Sequence, residues 1–244
     1  MSPLLDIRGV SVRFGGLAAV SDLALALGQG EIHALIGPNG AGKSTVINCI
    51  SGFQPLSAGE MRLGDERLGQ LTPVTAARKG IARTFQTPQL FGRLSVADNV
   101  RVASRSGRTG LFDGGELIEL VGLAGLQARA AESLAYGQQR LLEVARALAC
   151  APRLLLLDEP AAGLAADDIA RLARLLRRIA GELGLGILLV EHNVGLVKRL
   201  CDQATVMHHG LVIASGSPAA VLSDPAVVTA YLGAQASPSQ ARPC

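Results

Sequence analysis

A short glycine-rich segment constrains the fold of this chain more than any other feature. Residues 31–36 before it are mostly apolar and predict a short buried strand, and residues 45–50 after it, starting with Thr45, predict the beginning of a helix. The segment fits the phosphate-binding loop pattern G-x-x-x-x-G-K-[ST] at every defined position. Its residues are Gly37, Pro38, Asn39, Gly40, Ala41, Gly42, Lys43 and Ser44.

Strand, glycine loop and helix in this order predict a site for the phosphates of a nucleotide. Glycine can adopt the backbone conformations that a close wrap around phosphate oxygens needs, and the N–H groups and dipole of the helix then face the anion. We expect Lys43 to reach the β- and γ-phosphates and the Ser44 hydroxyl to bind Mg²⁺.

Composition excludes several classes of protein. The 244 residues are 49% hydrophobic but only 3% aromatic, which suits helices packed on a sheet. No apolar run approaches the ~20 residues that span a bilayer, and the first residues do not read as a signal peptide, so we expect the chain in the cytosol. The net charge is +3 with basic residues spread along the sequence, so we expect no nucleic-acid partner. The four cysteines fit neither a zinc site nor a disulfide framework.

Alternating helix and strand patterns predict an α/β fold with a mostly parallel core sheet. Residues 4–36 predict a β-rich, antiparallel N-terminal region. We expect one domain over residues 1–235, with a core formed by 1–95 and 134–235, a short inserted helical subdomain at about 96–133, and a disordered tail at 236–244.

Local patterns assign further elements. We expect strands at 59–63, 81–86, 153–157 and 186–190, helices at 116–121, 124–131, 136–150 and 167–183, and a loop at 104–110.

Two carboxylates follow the apolar strand predicted at 153–157. A carboxylate at the C-terminal end of a buried parallel strand lies where ligands bind in such sheets. We expect Asp158 on the Mg²⁺ side of the site and Glu159 as the general base that polarises an attacking water. A simple capping role for these carboxylates is the alternative.

Residues 134–140, Leu-Ala-Tyr-Gly-Gln-Gln-Arg, resemble the signature motif of ATP-binding cassette (ABC) ATPases. The motif places a glycine at a helix N-terminus, which suits an anion held from outside. The resemblance implies an ATP hydrolase with a P-loop NTPase core of the ABC type. It also implies that Ala135, Tyr136, Gly137 and Gln138 contact the γ-phosphate of the ATP held by an opposing subunit.

Three further residues match family elements in the family order. The resemblance implies that Gln86 touches Mg²⁺ and the attacking water, that His192 contacts the γ-phosphate, and that Phe14 stacks on adenine. Taken singly, these residues also have ordinary explanations as a loop amide, a hydrogen-bonded histidine and a core aromatic.

Residues 80–86, 134–140, 158–164 and 231–233 resemble one subgroup, the larger ATPase subunit of branched-chain amino acid importers, which also includes importers of amides and urea. The resemblance implies a second ABC ATPase subunit in a heterodimer, two membrane permease subunits and, indirectly, an extracytoplasmic solute-binding protein. It implies a peripheral position at the cytoplasmic face of the inner membrane. The solute is not encoded in these motifs.

The sequence departs from the family pattern in three places. Ala135 replaces the serine of the general ABC signature, although alanine is usual in this subgroup, and Ala165 stands where Asp or Asn is common. The helical subdomain also looks shorter than in relatives, which would reduce the groove that receives a permease helix.

Four other functions compete with the importer ATPase. A lipopolysaccharide-export ATPase usually has a Leu-Ser-Gly-Gly signature, and a non-transport ABC protein usually has two cassettes, a coiled-coil insertion or a basic arm. A P-loop kinase or GTPase needs neither the signature nor the histidine. A non-hydrolysing regulatory subunit is suggested by Ala165 and opposed by the intact Lys43, Asp158, Glu159 and His192.

Overall fold

The computed structural model describes residues 2–104 and 113–235. The strands of these residues are β1 (Leu5–Phe14), β2 (Leu17–Leu27), β3 (Ile32–Ile36), β4 (Ala58–Leu63), β5 (Glu66–Leu68), β6 (Ile81–Arg83), β7 (Leu154–Asp158), β8 (Gly186–Val190), β9 (Gln203–His208) and β10 (Leu211–Gly216). The helices are α1 (Lys43–Ile50), α2 (Pro73–Arg78), α3 (Val96–Ser104), α4 (Gly114–Leu120), α5 (Tyr136–Ala149), α6 (Ala166–Leu183), α7 (Val194–Leu200), α8 (Pro218–Leu222) and α9 (Pro225–Gln235).

A six-stranded sheet forms the centre of the fold, in the order β10-β9-β3-β8-β7-β6. Its neighbours pair in parallel except for β10, which is antiparallel to β9, so the expectation of a mostly parallel sheet is confirmed. Every residue of β3 and β8 is buried, and all but His33 are nonpolar, as expected of strands in a sheet covered on both faces. The C-terminal ends of β3, β8 and β7 meet at one edge, and the loops that follow them are therefore neighbours in space.

A second sheet is antiparallel, in the order β2-β1-β4-β5, which confirms the predicted N-terminal β region. Its apolar residues share one core with α1 and one face of the central sheet. The other face of the central sheet forms a second core with the apolar sides of α5, α6 and α7. Helix α1, which follows the phosphate-binding loop, is thus held between two sheets.

One predicted helix is wrong. Residues 124–131 form successive turns, and Ala130 makes an isolated bridge with Ser95. Gly122 and Gly125 have φ values of 76° and 81°, a left-handed conformation that ends an α-helix. Leu126 and Ala131 in this segment pack against the hydrophobic core without a helix.

The other predicted elements agree with the structure to within a few residues, except for the strand at 81–86, which ends at Arg83. There the chain leaves the sheet edge. The structure also contains β5, α2, α3 and the helices and strands after residue 193, which the local sequence patterns did not predict individually. Most of the predicted loop at 104–110, and the tail at 236–244, lie outside the described residues. Within those residues, no helix has both the length and the apolar character needed to cross a bilayer.

The central strand β8 gives a stability test. Leu189 is fully buried in the core that the central sheet forms with α5, α6 and α7. Leu189→Ala therefore leaves a cavity and should lower the free energy of unfolding by about 2–5 kcal/mol. Leu211→Ala is the control, because Leu211 on β10 is 53% exposed and should change that free energy by less than about 0.5 kcal/mol. Urea denaturation followed by circular dichroism measures both; equal effects would contradict the assigned core.

Candidate functional site

The phosphate-binding loop lies between β3 and α1, as predicted. Gly37, Gly40 and Gly42 have φ values of 148°, 78° and 104°, which side chains with a β-carbon rarely adopt. The carbonyl of Gly42 accepts the first hydrogen bond of α1, from the Val46 N–H at 3.1 Å. The N–H groups of Gly42, Lys43, Ser44 and Thr45 precede this first hydrogen bond and therefore have no partner within the helix.

Close neighbours also require two of these glycines. A β-carbon on Gly37 would overlap the carbonyl oxygen of Met207 on β9, and one on Gly42 would overlap the carbonyl oxygen of Ala19 on β2. The loop is therefore packed closely against both sheets.

Lys43 lies inside the loop. Its ammonium donates hydrogen bonds to the carbonyl oxygens of Gly37 and Pro38, each at 2.8 Å, and the residue is 6% exposed. Burial lowers the pKa of Lys43, while the nearby carboxylates of Glu159 and Asp158 oppose that shift. A phosphate oxygen arriving at the loop would meet a desolvated cation already in position, so the loop fits the phosphates of a nucleotide.

A cavity of about 300 Å³ opens at the loop. Its walls are residues 39–45 of the loop and α1, the start of β2 at 17–19, Glu159, and two residues of the β9–β10 turn, His209 and Gly210. Phe14, expected to stack on adenine, is not among the lining residues and is 48% exposed at the end of β1. His209 had no sequence signal, because the fold alone brings the β9–β10 turn beside the loop.

The structure brings together the three residues expected to serve catalysis. Glu159 follows β7 with a φ of 48°, and its N–H donates to the carbonyl of Val190 at 2.9 Å. The Gln86 amide donates to one oxygen of the Glu159 carboxylate at 3.0 Å. The His192 Nδ1 atom lies 3.8 Å from the other oxygen. This carboxylate is thus bracketed by two polar side chains at the mouth of the cavity.

Asp158 is held by Arg83, to which no sequence motif assigns a role. Its carboxylate accepts a hydrogen bond from the guanidinium of Arg83 at 3.0 Å, and both side chains are nearly buried, at 13% and 10% exposure. Arg83 appeared only within a matching motif, and no local pattern indicates which carboxylate an arginine will meet.

Glu191, also missed, supports the loops around the site. It is 1% exposed. One carboxylate oxygen accepts the N–H of Ala161 at 3.0 Å, and the other accepts the N–H groups of His192 and Asn193 at 3.1 and 3.2 Å. The segment after β7 and the segment after β8 are therefore tied to one buried anion.

The signature residues lie apart from the cavity, at the start of α5. Ala135 caps α5 without a side-chain hydrogen bond, Tyr136 is 40% exposed, and the Gln138 side-chain oxygen accepts the Ala135 N–H at 3.1 Å. Gly137 is buried, and a β-carbon there would overlap the carboxylate of Asp168 on α6. None of the four signature residues lines the cavity beside Lys43.

Arg140, the last residue of the signature, links α5 to the segment that carries Gln86. Its guanidinium donates to the carbonyl of Phe85 at 2.6 Å, to the carbonyl of Gln86, and to the Tyr136 hydroxyl at 3.1 Å. Glu143 accepts the Phe85 N–H at 3.0 Å and pairs with Arg140 at 3.1 Å. Helix α5, which begins with the signature and is called the signature helix below, is thus joined by hydrogen bonds to the segment that carries Gln86.

The side-chain oxygens near the loop suit a hard cation as ligands. They belong to the hydroxyl of Ser44, the carboxylate of Asp158 and the amide of Gln86. In residues 2–104 and 113–235 no group of three or more His, Cys, Asp or Glu side chains is close enough to hold a metal. Mg²⁺ needs no such group, because it commonly binds through one or two protein oxygens together with substrate phosphates.

Two family profiles match the chain. The profile described as "ABC transporter" matches residues 20–162. The profile described as "Branched-chain amino acid ATP-binding cassette transporter" matches residues 212–237, which include most of β10 and all of α9.

Curated relatives cover nearly the whole chain. The high-affinity branched-chain amino acid transport ATP-binding protein LivG of Escherichia coli (strain K12) is 40% identical over 95% of this chain and 98% of its own length. The corresponding protein BraF of Pseudomonas aeruginosa is 38% identical over the same shares.

Solved structures share the fold. MJ1267, an ATP-binding cassette of an ABC transporter in its ADP conformation, superposes with a TM-score of 0.87 at 29% identity, over 96% of this chain and all of that one. CbiO1 from Clostridium perfringens, part of the transporter complex cbiONQ, gives a TM-score of 0.83 at 25% identity, over 97% of this chain and 96% of that one.

The packing of the loop predicts the effect of a single methyl group. Gly37→Ala should lower the free energy of unfolding by about 2–4 kcal/mol and abolish ATP binding, because the new β-carbon meets Met207 at an unfavourable φ. Gly16→Ala is the matched control, since its β-carbon meets no atom within 4 Å, and it should change stability by no more than about 1 kcal/mol. Chemical denaturation and calorimetric ATP titration measure both effects.

The buried carboxylate of Glu191 predicts a cost for an isosteric amide. Glu191→Gln keeps the shape but turns an NH₂ group toward one set of backbone N–H donors. It should lower the free energy of unfolding by about 1–3 kcal/mol. Glu182→Gln, at an exposed ion pair with Arg178, should change it by less than about 0.5 kcal/mol. If Glu191→Gln is as stable as the unsubstituted protein, the three hydrogen bonds are not formed in solution.

Proposed function

Because the chain belongs to the ABC transporter family of ATP-binding subunits, we propose that it hydrolyses ATP to energise an importer of branched-chain amino acids. The observation that carries the proposal is the Glu159 carboxylate, held between Gln86 and His192 at the mouth of the phosphate-loop cavity. The solute class rests on the relatives and on the C-terminal profile.

Each site residue then has a chemical task. The loop N–H groups and Lys43 bind the phosphates, and Glu159 accepts the proton of the attacking water. Gln86 orients this water, and His192 orients the γ-phosphate. Phe14 would contact adenine. Ser44, Asp158 and Gln86 would hold Mg²⁺, which neutralises charge on the phosphates.

The position of the signature supports a site completed by another subunit. Ala135 and Tyr136 are exposed at the start of α5, where uncapped N–H groups can meet an anion from outside. We propose that this surface contacts ATP held by the loop of a second ABC ATPase subunit, in a head-to-tail heterodimer.

A groove supports docking to permease subunits. Its volume is about 410 Å³, and it lies between α2, β6, α3 and α5. Three phenylalanines line it, Phe53, Phe85 and Phe91, of which Phe53 and Phe91 are 54% and 47% exposed. We propose that a cytoplasmic helix of the permease fills this groove, which holds the subunit at the cytoplasmic face of the inner membrane. The solute-binding protein then acts only indirectly, through the permease.

Ala165 does not weaken the proposed chemistry in this chain. It is exposed at the start of α6 and provides no side-chain cap, whereas the carboxylate of Glu159 is in place. We assign any effect of Ala165 to communication between the two nucleotide sites.

Removing the general base tests the function. Glu159→Gln should reduce ATP turnover by about 10²–10⁴-fold while ATP binding persists, because the amide cannot accept the proton. Glu182→Gln on the outer face of α6 is the control. Unimpaired turnover in Glu159→Gln would refute the role of Glu159.

The same variant tests the subunit arrangement. Light scattering after size-exclusion chromatography should show that Glu159→Gln stays monomeric with ATP and dimerises when the second ATPase subunit of the complex is added. A dimer formed with ATP by this chain alone would refute the need for a different partner.

A further inference from the structure

Arg83 occupies a position between the proposed docking groove and the proposed metal side of the site. One guanidinium nitrogen lies 3.0 Å from Asp158, and the other donates to Asn48 at 2.7 Å and to the Ser51 hydroxyl at 3.1 Å. Asn48 and Ser51 lie at the end of α1, whose first turn is part of the phosphate-binding loop. One side chain thus ties the end of β6 to β7 and to α1.

The face of the same guanidinium contacts two aromatic rings of the groove. Its central carbon lies 4.9 Å from the ring centroid of Phe85 and 5.6 Å from that of Phe53. The two rings pack edge to face, with centroids 6.1 Å apart. Both rings and Arg83 itself line the groove. A helix that fills the groove would therefore contact the two phenylalanine rings that pack against Arg83, and Arg83 holds Asp158.

We propose that Arg83 is a positioning residue that limits how strongly Asp158 attracts the metal and links this effect to the occupancy of the groove. The proposal rests on the function above, which places Mg²⁺ beside Asp158. Arg83 does not line the cavity at the phosphate-binding loop and acts only through the aspartate.

The sign of the effect follows from charge. A guanidinium within hydrogen-bond distance of Asp158 would lie about 5 Å from a cation bound to that carboxylate. Even at the dielectric constant of water, the repulsion between a single and a double positive charge at that separation corresponds to about a tenfold change in affinity. Removing the guanidinium should therefore strengthen metal binding. A purely structural role predicts the opposite, because a loosened site binds metal less well.

The first test measures metal binding without turnover. The affinity for ADP is determined by titration calorimetry in Mn²⁺ and again in EDTA, and the ratio of the two reports the contribution of the metal. Arg83→Met should raise this ratio by about tenfold relative to the unsubstituted protein. Arg177 lies on α6 and forms a partly exposed ion pair with Asp202. Arg177→Met, the control, should leave the ratio unchanged.

A conservative variant separates charge from shape. Arg83→Lys keeps a cation near Asp158, so its ratio should stay within about twofold of the unsubstituted value. An unchanged or lower ratio in a folded Arg83→Met would overturn the proposal. Absence of ADP binding in the unsubstituted protein would overturn the proposed function instead.

The second test follows the groove and applies even if Arg83→Met does not fold. The chain contains no tryptophan, so Phe53→Trp places a single indole in the groove while keeping an aromatic face for the cation. Binding of ADP with Mn²⁺ should shift its emission. Arg83→Lys in this background should lose most of that shift, because an ammonium cannot span Asp158, Asn48 and both rings. A full shift in that double variant would contradict the link.

Discussion

The pairing of three buried parallel strands is the constraint on which the rest of the structure depends. β3 pairs with β8 and β8 with β7, so their C-terminal ends lie side by side. The phosphate-binding loop leaves β3, Glu159 follows β7, and His192 follows β8. The mostly apolar residues on both faces of these strands bury them in the core, so the sheet holds the starting points of the three loops side by side.

Buried charged side chains then fix the conformation of the loops that the sheet places side by side. Glu191 binds three backbone N–H groups on the segments after β7 and β8, and Arg140 with Glu143 holds the backbone around Gln86. Each of these side chains has a hydrogen-bond partner, as the cost of desolvation requires. Such pairs are weak sources of stability, and their value lies in orientation. Arg83 on Asp158 belongs to the same group and adds a contact with the groove.

In the proposed function, the ATP-binding residues of this chain fall into two separate groups. The loop, Glu159 and His192 lie at the edge of the central sheet, whereas the signature begins α5 on another surface. The two are connected internally, because Arg140 joins the signature helix to the backbone of Gln86, whose amide in turn meets Glu159. An unbroken series of backbone and side-chain hydrogen bonds therefore connects the signature helix to the carboxylate. That arrangement suits a motor in which assembly and hydrolysis depend on each other.

Residues close together in the chain were sufficient to predict the loop, the carboxylates after β7 and the alternation of strands and helices. The helix predicted at 124–131 is absent, because Gly122 before it and Gly125 within it have positive φ values. The contacts of Arg83 with Asp158, of Glu191 with the backbone of two segments, and of His209 with the cavity arise only when the chain has folded. Those contacts join residues far apart in sequence, and the identity of an arginine or a glutamate does not specify its partner until the sheet has fixed which loops are neighbours.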